Sequence, residues 1–182
     1  MTEVLTLIFL PLLFAMTVLL VPPRVRFLKE TAALLATGIN LLIALFISGK
    51  DIYVFSPWAG FGIDFALRLY HFSSFIITAA AGFSLLITVF SIIFMRDKDY
   101  AKPFYCYLLL TITFVNGAVL SDNLVLLLFF WEGMLLSLFG MIYIGGKNAY
   151  KTAIKSFIIV GITDLCLMIG IAMTGYLAGT LT

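Results

Sequence analysis

Two acidic side chains stand where the sequence is otherwise apolar. Glu132 interrupts the stretch LLLFFWEGMLLSLFGM (residues 126–141), in which only Glu132 and Ser137 are neither apolar nor small. Asp164 sits in a second such run. In a low-dielectric interior the charged form of a carboxylic acid is disfavoured, and a nearby cation or hydrogen-bond donor restores it. A group poised between those two states is what a proton relay requires. An intramembrane acid can instead be packing glue that hydrogen-bonds a neighbouring helix. For Asp164, Gly161, Thr163 and Gly170 suggest such a close contact, and Gly161, on the same helical face, also leaves room for a partner or water.

Other residue types point to less. Asn40, Thr111, Thr113, Asn116 and Ser137 can line a wet path, although Ser and Thr in such helices more often bond their own backbone. Ser137, five positions from Glu132, is not on its face. His71 reads as interfacial or solvated, Tyr53 and Trp58 as interfacial anchors, while Trp131 is placed deep beside the acid. Cys106 and Cys166 lack metal-ligand or CxxC spacing and read as small buried hydrophobes. No Gly-rich phosphate loop, nucleophile–base pair or haem or iron–sulfur ligand set is present, so we expect no cofactor bound by this chain and no redox or hydrolytic step performed by it.

The elements that must position these acids follow from composition. Of 182 residues 63% are hydrophobic and 11% charged, which points to an all-α integral membrane protein, and a net charge of +2 is too small to suggest nucleic acid. Six apolar runs, at 4–21, 31–48, 72–95, 104–120, 124–144 and 157–177, are each close to the roughly 20 residues of a spanning helix. The first lacks a basic leader and a cleavage site and reads as a retained helix. We expect one membrane domain over 1–182, since only helices or closed barrels satisfy their backbone groups in lipid. The one long connection, Gly49 to His71, reads as an interfacial hairpin or re-entrant segment between helices two and three.

Charge sets the sidedness. Arg24, Arg26, Lys29, Arg96, Lys98, Lys102, Lys147, Lys151 and Lys155 fall on one side and only Lys50 and Arg68 on the other. This alternation predicts both termini facing outward. No lysine or arginine is left for the membrane interior. Glu132, eight residues past the start of its helix, is expected roughly 12 Å in, and Asp164, seven residues in from the opposite side, at a comparable depth.

The stretch LSDNLVLLLFFWEGMLLSLFGMIYIGGKNAYKTAIKSFIIVGITD (residues 120–164) resembles the antiporter-like membrane subunits of respiratory complex I, membrane-bound hydrogenases and multisubunit Na⁺/H⁺ antiporters. The resembling features are an Asp-Asn pair opening a helix, Trp-Glu eight residues on, and a lysine entering the next helix. FGIDFALRLYHFSSF and MRDKDYAKPFYCYLLL look like the family's amino-terminal region too. The resemblance implies that Glu132 is a proton-pathway residue paired with a lysine on a seventh helix. It also implies that Asp164 is the sixth-helix aspartate of the distal subunit type, and that Lys155 is the lysine before it.

Three departures qualify that implication. Gly161 stands where many distal-type subunits have arginine, so an internal Arg–Asp pair is lost. Tyr70, His71, Phe72 and Ser73 replace an Asp-x-Leu-Ser helix opening. The family has about fourteen helices in inverted repeats, and six are read here. We therefore expect a membrane subunit of a proton- or sodium-translocating respiratory or hydrogenase complex, in a prokaryotic inner membrane. Its partners would be the lipid bilayer and other membrane subunits, one of which supplies the missing helices and lysines, as in a split subunit or truncated paralogue. The alternatives are a structural or assembly subunit of such a complex that does not conduct and, more weakly, an independent small channel or transporter.

Overall fold

A computed structural model describes residues 2–20, 26–57, 64–96, 98–146, 148–179 and 181. Arg24, Trp58, Lys147 and the side chain of Arg26, all singled out above, lie outside what is described. The order is α1 (Thr2–Leu20), α2 (Arg26–Ile47), β1 (Ile52–Pro57), β2 (Asp64–Leu69), α3 (His71–Phe94), α4 (Ala101–Leu120), α5 (Leu124–Tyr143) and α6 (Ala149–Ala178). All six helices are long and apolar enough to cross a membrane.

Helices α2 and α6 begin earlier than their apolar runs, at Arg26 and Ala149 rather than at 31 and 157. Hydropathy marks only the stretch suited to lipid, whereas good helix formers such as Ala and Lys carry a helix on into the polar boundary. At 30 residues, α6 is roughly 45 Å long against a hydrocarbon core of roughly 30 Å. Lys151 and Lys155 are thus helical, and Asp164 is the midpoint of α6 rather than seven residues in.

Local signals fix the helix ends. Asn123, from the Asp-Asn pair, caps α5 by accepting a hydrogen bond from the Val125 N–H at 2.8 Å. Gly179 closes α6 at φ 68°, a left-handed conformation that favours glycine. The Leu124 N–H then donates to the Leu181 carbonyl at 2.9 Å, bringing the chain after α6 to the start of α5.

Between α2 and α3 the chain forms an antiparallel strand pair, from Ile52 opposite Leu69 to Pro57 opposite Asp64. Its free side docks on the α4–α5 link, where the Asp122 N–H donates to the Ala66 carbonyl at 2.9 Å. Val54, Leu67 and Leu69 roof an apolar cluster with Val4, Leu7 and Ile8 of α1, Ile77 of α3 and Leu120 of α4. A second cluster, around Val18, Ala36, Tyr105 and Leu109, fills the other end.

Helix α5 is fastened to α4 by aromatic rings seated on glycines. Phe130 of α5 lies against Gly117, and Phe114 and Tyr107 of α4 lie against Gly133 and Gly140. A Cβ at any of the three would overlap a ring, so the absent side chain is what lets the helices close up. Helix α6 packs along α5 and has only 6% of its span buried, against 50% for α4.

Candidate functional site

The two membrane acids meet across the α5–α6 contact. On α5, Leu128, Glu132 and Leu135 recur at four and three residues and so share a face. On α6, Phe157, Gly161, Asp164 and Met168 do the same. The two faces enclose a groove of about 360 Å³ with apolar walls in which Glu132 and Asp164 are the acidic groups. Gly161 forms part of the wall, and a Cβ there would meet nothing within 4 Å, so its lack of a side chain widens the groove.

The two acids are held differently. Asp164 is 9% exposed and its Oδ1 accepts a hydrogen bond from the indole Nε1 of Trp131 at 3.2 Å. Trp131 and Glu132 are adjacent in sequence but project at different angles from α5. The indole therefore reaches Asp164 from one side while Glu132 faces the groove. Among the described residues no hydrogen bond or ion pair holds the Glu132 carboxyl. Asp164, without an arginine at position 161, thus accepts from an uncharged donor on the neighbouring helix.

Lys155 is not brought into this groove. It is exposed on α6, nine residues before Asp164. Nine residues are about two and a half turns, which puts it on the opposite side of the helix. Among the groove's lining residues there is no lysine or arginine. Among the described residues no group of three or more His, Cys, Asp or Glu side chains is placed to hold a metal.

Several sequence expectations resolve locally. The hydroxyls of Thr111, Thr113 and Ser137 donate to the carbonyls of Tyr107, Leu109 and Gly133, four residues back on their own helices. His71 opens α3 and is exposed, and Tyr53 is exposed on β1. Asp164 does contact a neighbouring helix, through Trp131 of α5, but not by way of the small residues expected to allow it. Gly161 and Gly170 both face open space, and the Thr163 hydroxyl bonds the Val160 carbonyl of its own helix. Small residues permit close approach but do not compel it, and here the tight glycine contacts are those of α4 with α5. The Trp131–Asp164 bond joins two residues noted separately, and no spacing rule connects them across 33 positions.

Comparison with known proteins finds relatives for the sequence and for the fold. Residues 121–182, covering α5 and α6, match the family described as NADH:quinone oxidoreductase/Mrp antiporter, TM. The chain is 27% identical over 162 residues to NADH-quinone oxidoreductase subunit L of Mycobacterium tuberculosis, covering 83% of this chain and 26% of that protein. It is 30% identical over 135 residues to Na(+)/H(+) antiporter subunit A1 of Staphylococcus aureus, covering 69% and 16% respectively. The chain thus spans about a quarter or less of the curated relatives it matches. In fold it superposes on a chain of the Mrp complex from Dietzia sp. DQ12-45-1b with a TM-score of 0.82 at 20% identity, over 97% of this chain and 20% of that one. Residues 121–182 thus match the NADH:quinone oxidoreductase/Mrp antiporter transmembrane family, and most of the chain is similar to antiporter-like membrane subunits of these two kinds.

Proposed function

We propose that the chain works as a membrane subunit of a proton- or sodium-translocating respiratory or hydrogenase complex, and that Glu132 takes up and releases the ion. The observation that carries this reading is the pairing of an unrestrained Glu132 with an anchored Asp164 in one apolar-walled groove. Intramembrane acids that face a cavity rather than lipid mark ion pathways. Asp164, tied to Trp131, acts as the fixed neighbour, and Glu132 is free to change its proton and its orientation. A cation approaching the open side of the groove would favour the Glu132 carboxylate, and its withdrawal would favour protonation. That cation comes from beyond these six helices, on the same polypeptide or on another membrane subunit. Lys155 serves the entrance to the pathway from the basic end of α6.

The distribution of basic residues supports an orientation in a prokaryotic cytoplasmic membrane with both helix-terminal ends of the chain outward. The strand pair then sits at the outer interface. The decisive experiment is Glu132→Gln in the assembled complex, reconstituted into sealed vesicles. Loss of ion translocation with assembly intact supports the relay, and undiminished pumping removes it. The groove's lack of a lysine or arginine favours a second reading, a structural or assembly subunit that does not conduct. Under that reading Glu132→Gln leaves translocation unchanged while disruption of the α4–α5 contact impairs assembly.

A further inference from the structure

A second polar site lies in the amino-terminal bundle, away from the carboxylates. Its origin is Pro11. In a regular helix the N–H of residue 11 would bond the carbonyl of residue 7, but proline has no N–H, so the Leu7 carbonyl is left without its intrahelical partner. Asn116 of α4 supplies the replacement, its Nδ2 donating to the Leu7 carbonyl at 2.8 Å. The same Nδ2 donates to Oδ1 of Asn40 on α2 at 3.2 Å. Three helices thus converge on one amide nitrogen.

This convergence fixes which way both amides point. A carbonyl at Leu7 demands a donor, so Asn116 must present Nδ2 to it, and Asn40 must then present Oδ1. Two polar atoms remain. Asn40 Nδ2 and Asn116 Oδ1 are buried without a hydrogen-bond partner among the described residues, on side chains 0% and 1% exposed. Ser74 Oγ of α3 is orphaned too, on a residue 3% exposed. Leu7, Asn40, Ser74 and Asn116 all lie within two turns of the same end of their helices, beneath the strand pair.

We propose that this end of the bundle binds buried water, which accepts from Asn40 Nδ2 and donates to Asn116 Oδ1. The chemistry of the orphaned atoms selects the ligand. One is a donor and the other an acceptor, a combination that a neutral molecule able to do both satisfies and a metal cation does not. A cation would also face the amide NH₂ groups of both asparagines. An orphaned amide in a membrane interior costs more than the ordering of a water that satisfies it. The hydrated node ties α1, α2 and α4 together at the level where the strand pair closes the bundle.

The test uses the full chain in its assembled membrane complex. A high-resolution cryo-EM map is expected to show water density within hydrogen-bond distance of Asn40 Nδ2 and Asn116 Oδ1. A direct amide–amide pair at those atoms, or density at cation–oxygen distances, overturns the proposal. Thermal unfolding gives an independent sign test. If water satisfies Asn40, Asn40→Leu removes a satisfied link and lowers the melting midpoint. If Asn40 Nδ2 is a dry orphan, the burial cost that the substitution relieves offsets the lost bond from Asn116 Nδ2, and a midpoint that does not fall refutes the site. Replacing choline chloride with sodium chloride should shift the wild-type and Asn40→Leu midpoints equally. A sodium-dependent rise that Asn40→Leu abolishes would assign the site to a cation instead.

Discussion

The α1–α4 bundle and the α5–α6 pair are built from similarly apolar helices, yet they treat their polar groups differently. In the bundle the membrane polar groups are neutral, mostly hydroxyls bonded to backbone, beside the asparagine pair with its two orphaned atoms. Ser84, Thr88 and Ser91 of α3 donate to carbonyls three or four residues back, and Asn116 repairs the carbonyl that Pro11 leaves free. The α5–α6 pair has such hydroxyls too, but adds two acids that share a groove, one held by a single indole N–H and the other unrestrained. Polar groups in a membrane stabilise the packing when each finds a partner. When one is left able to change its charge, it becomes a candidate for transport. The difference is between a scaffold and a moving part.

Substitutions can break that division, and the largest effect belongs to the acid. Glu132→Gln keeps the shape of the side chain but removes its charge, so it is expected to abolish ion translocation by the reconstituted complex with little change in melting midpoint. A large loss of stability instead would make Glu132 part of the scaffold. Next is the seam between the two regions. Gly133→Val drives a branched side chain into the Phe114 ring and should cost about 1–3 kcal/mol, read as lowered thermal stability and poorer assembly.

Within the scaffold, Asn116→Leu strands the Leu7 carbonyl and should cost about 1–2 kcal/mol. In a Pro11→Ala background the Leu7 carbonyl regains a partner in its own helix, so the same substitution should cost less. Equal costs in both backgrounds would show that Asn116 does not act through that carbonyl. The smallest effect is expected at Trp131→Phe, which keeps most of the ring but deletes the bond to Asp164. Its stability cost should be near the average of about 0.6 kcal/mol for a hydrogen bond between membrane helices. Its mark should be a partial fall in translocation, because Asp164 loses its anchor. Translocation equal to wild type would return Asp164 to a packing role.

Much of this division is readable in the chain. Six spans, the place of Glu132 eight residues into α5 and the Asn123 cap follow from hydropathy, helical periodicity and capping chemistry. The interior of α6 is legible too, but not its start, because Lys151 and Lys155 look like loop to a hydropathy reading while being sound helix residues. The fate of the small residues was less accessible. Gly117, Gly133 and Gly140 receive rings, whereas Gly161 and Gly170 face open space, and nothing in a glycine distinguishes the two cases.

By itself the sequence determined where the chain must be helical and which side chains are costly in lipid, because both depend on local composition and spacing. It also determined that any acid left in a span must find a partner or carry a function, as a matter of solvation. Which partner each polar group found was decided only by the tertiary structure. The 33 positions from Trp131 to Asp164 and the 109 from Leu7 to Asn116 are closed by helix packing, and packing reads the whole surface of a helix rather than any stretch of its sequence.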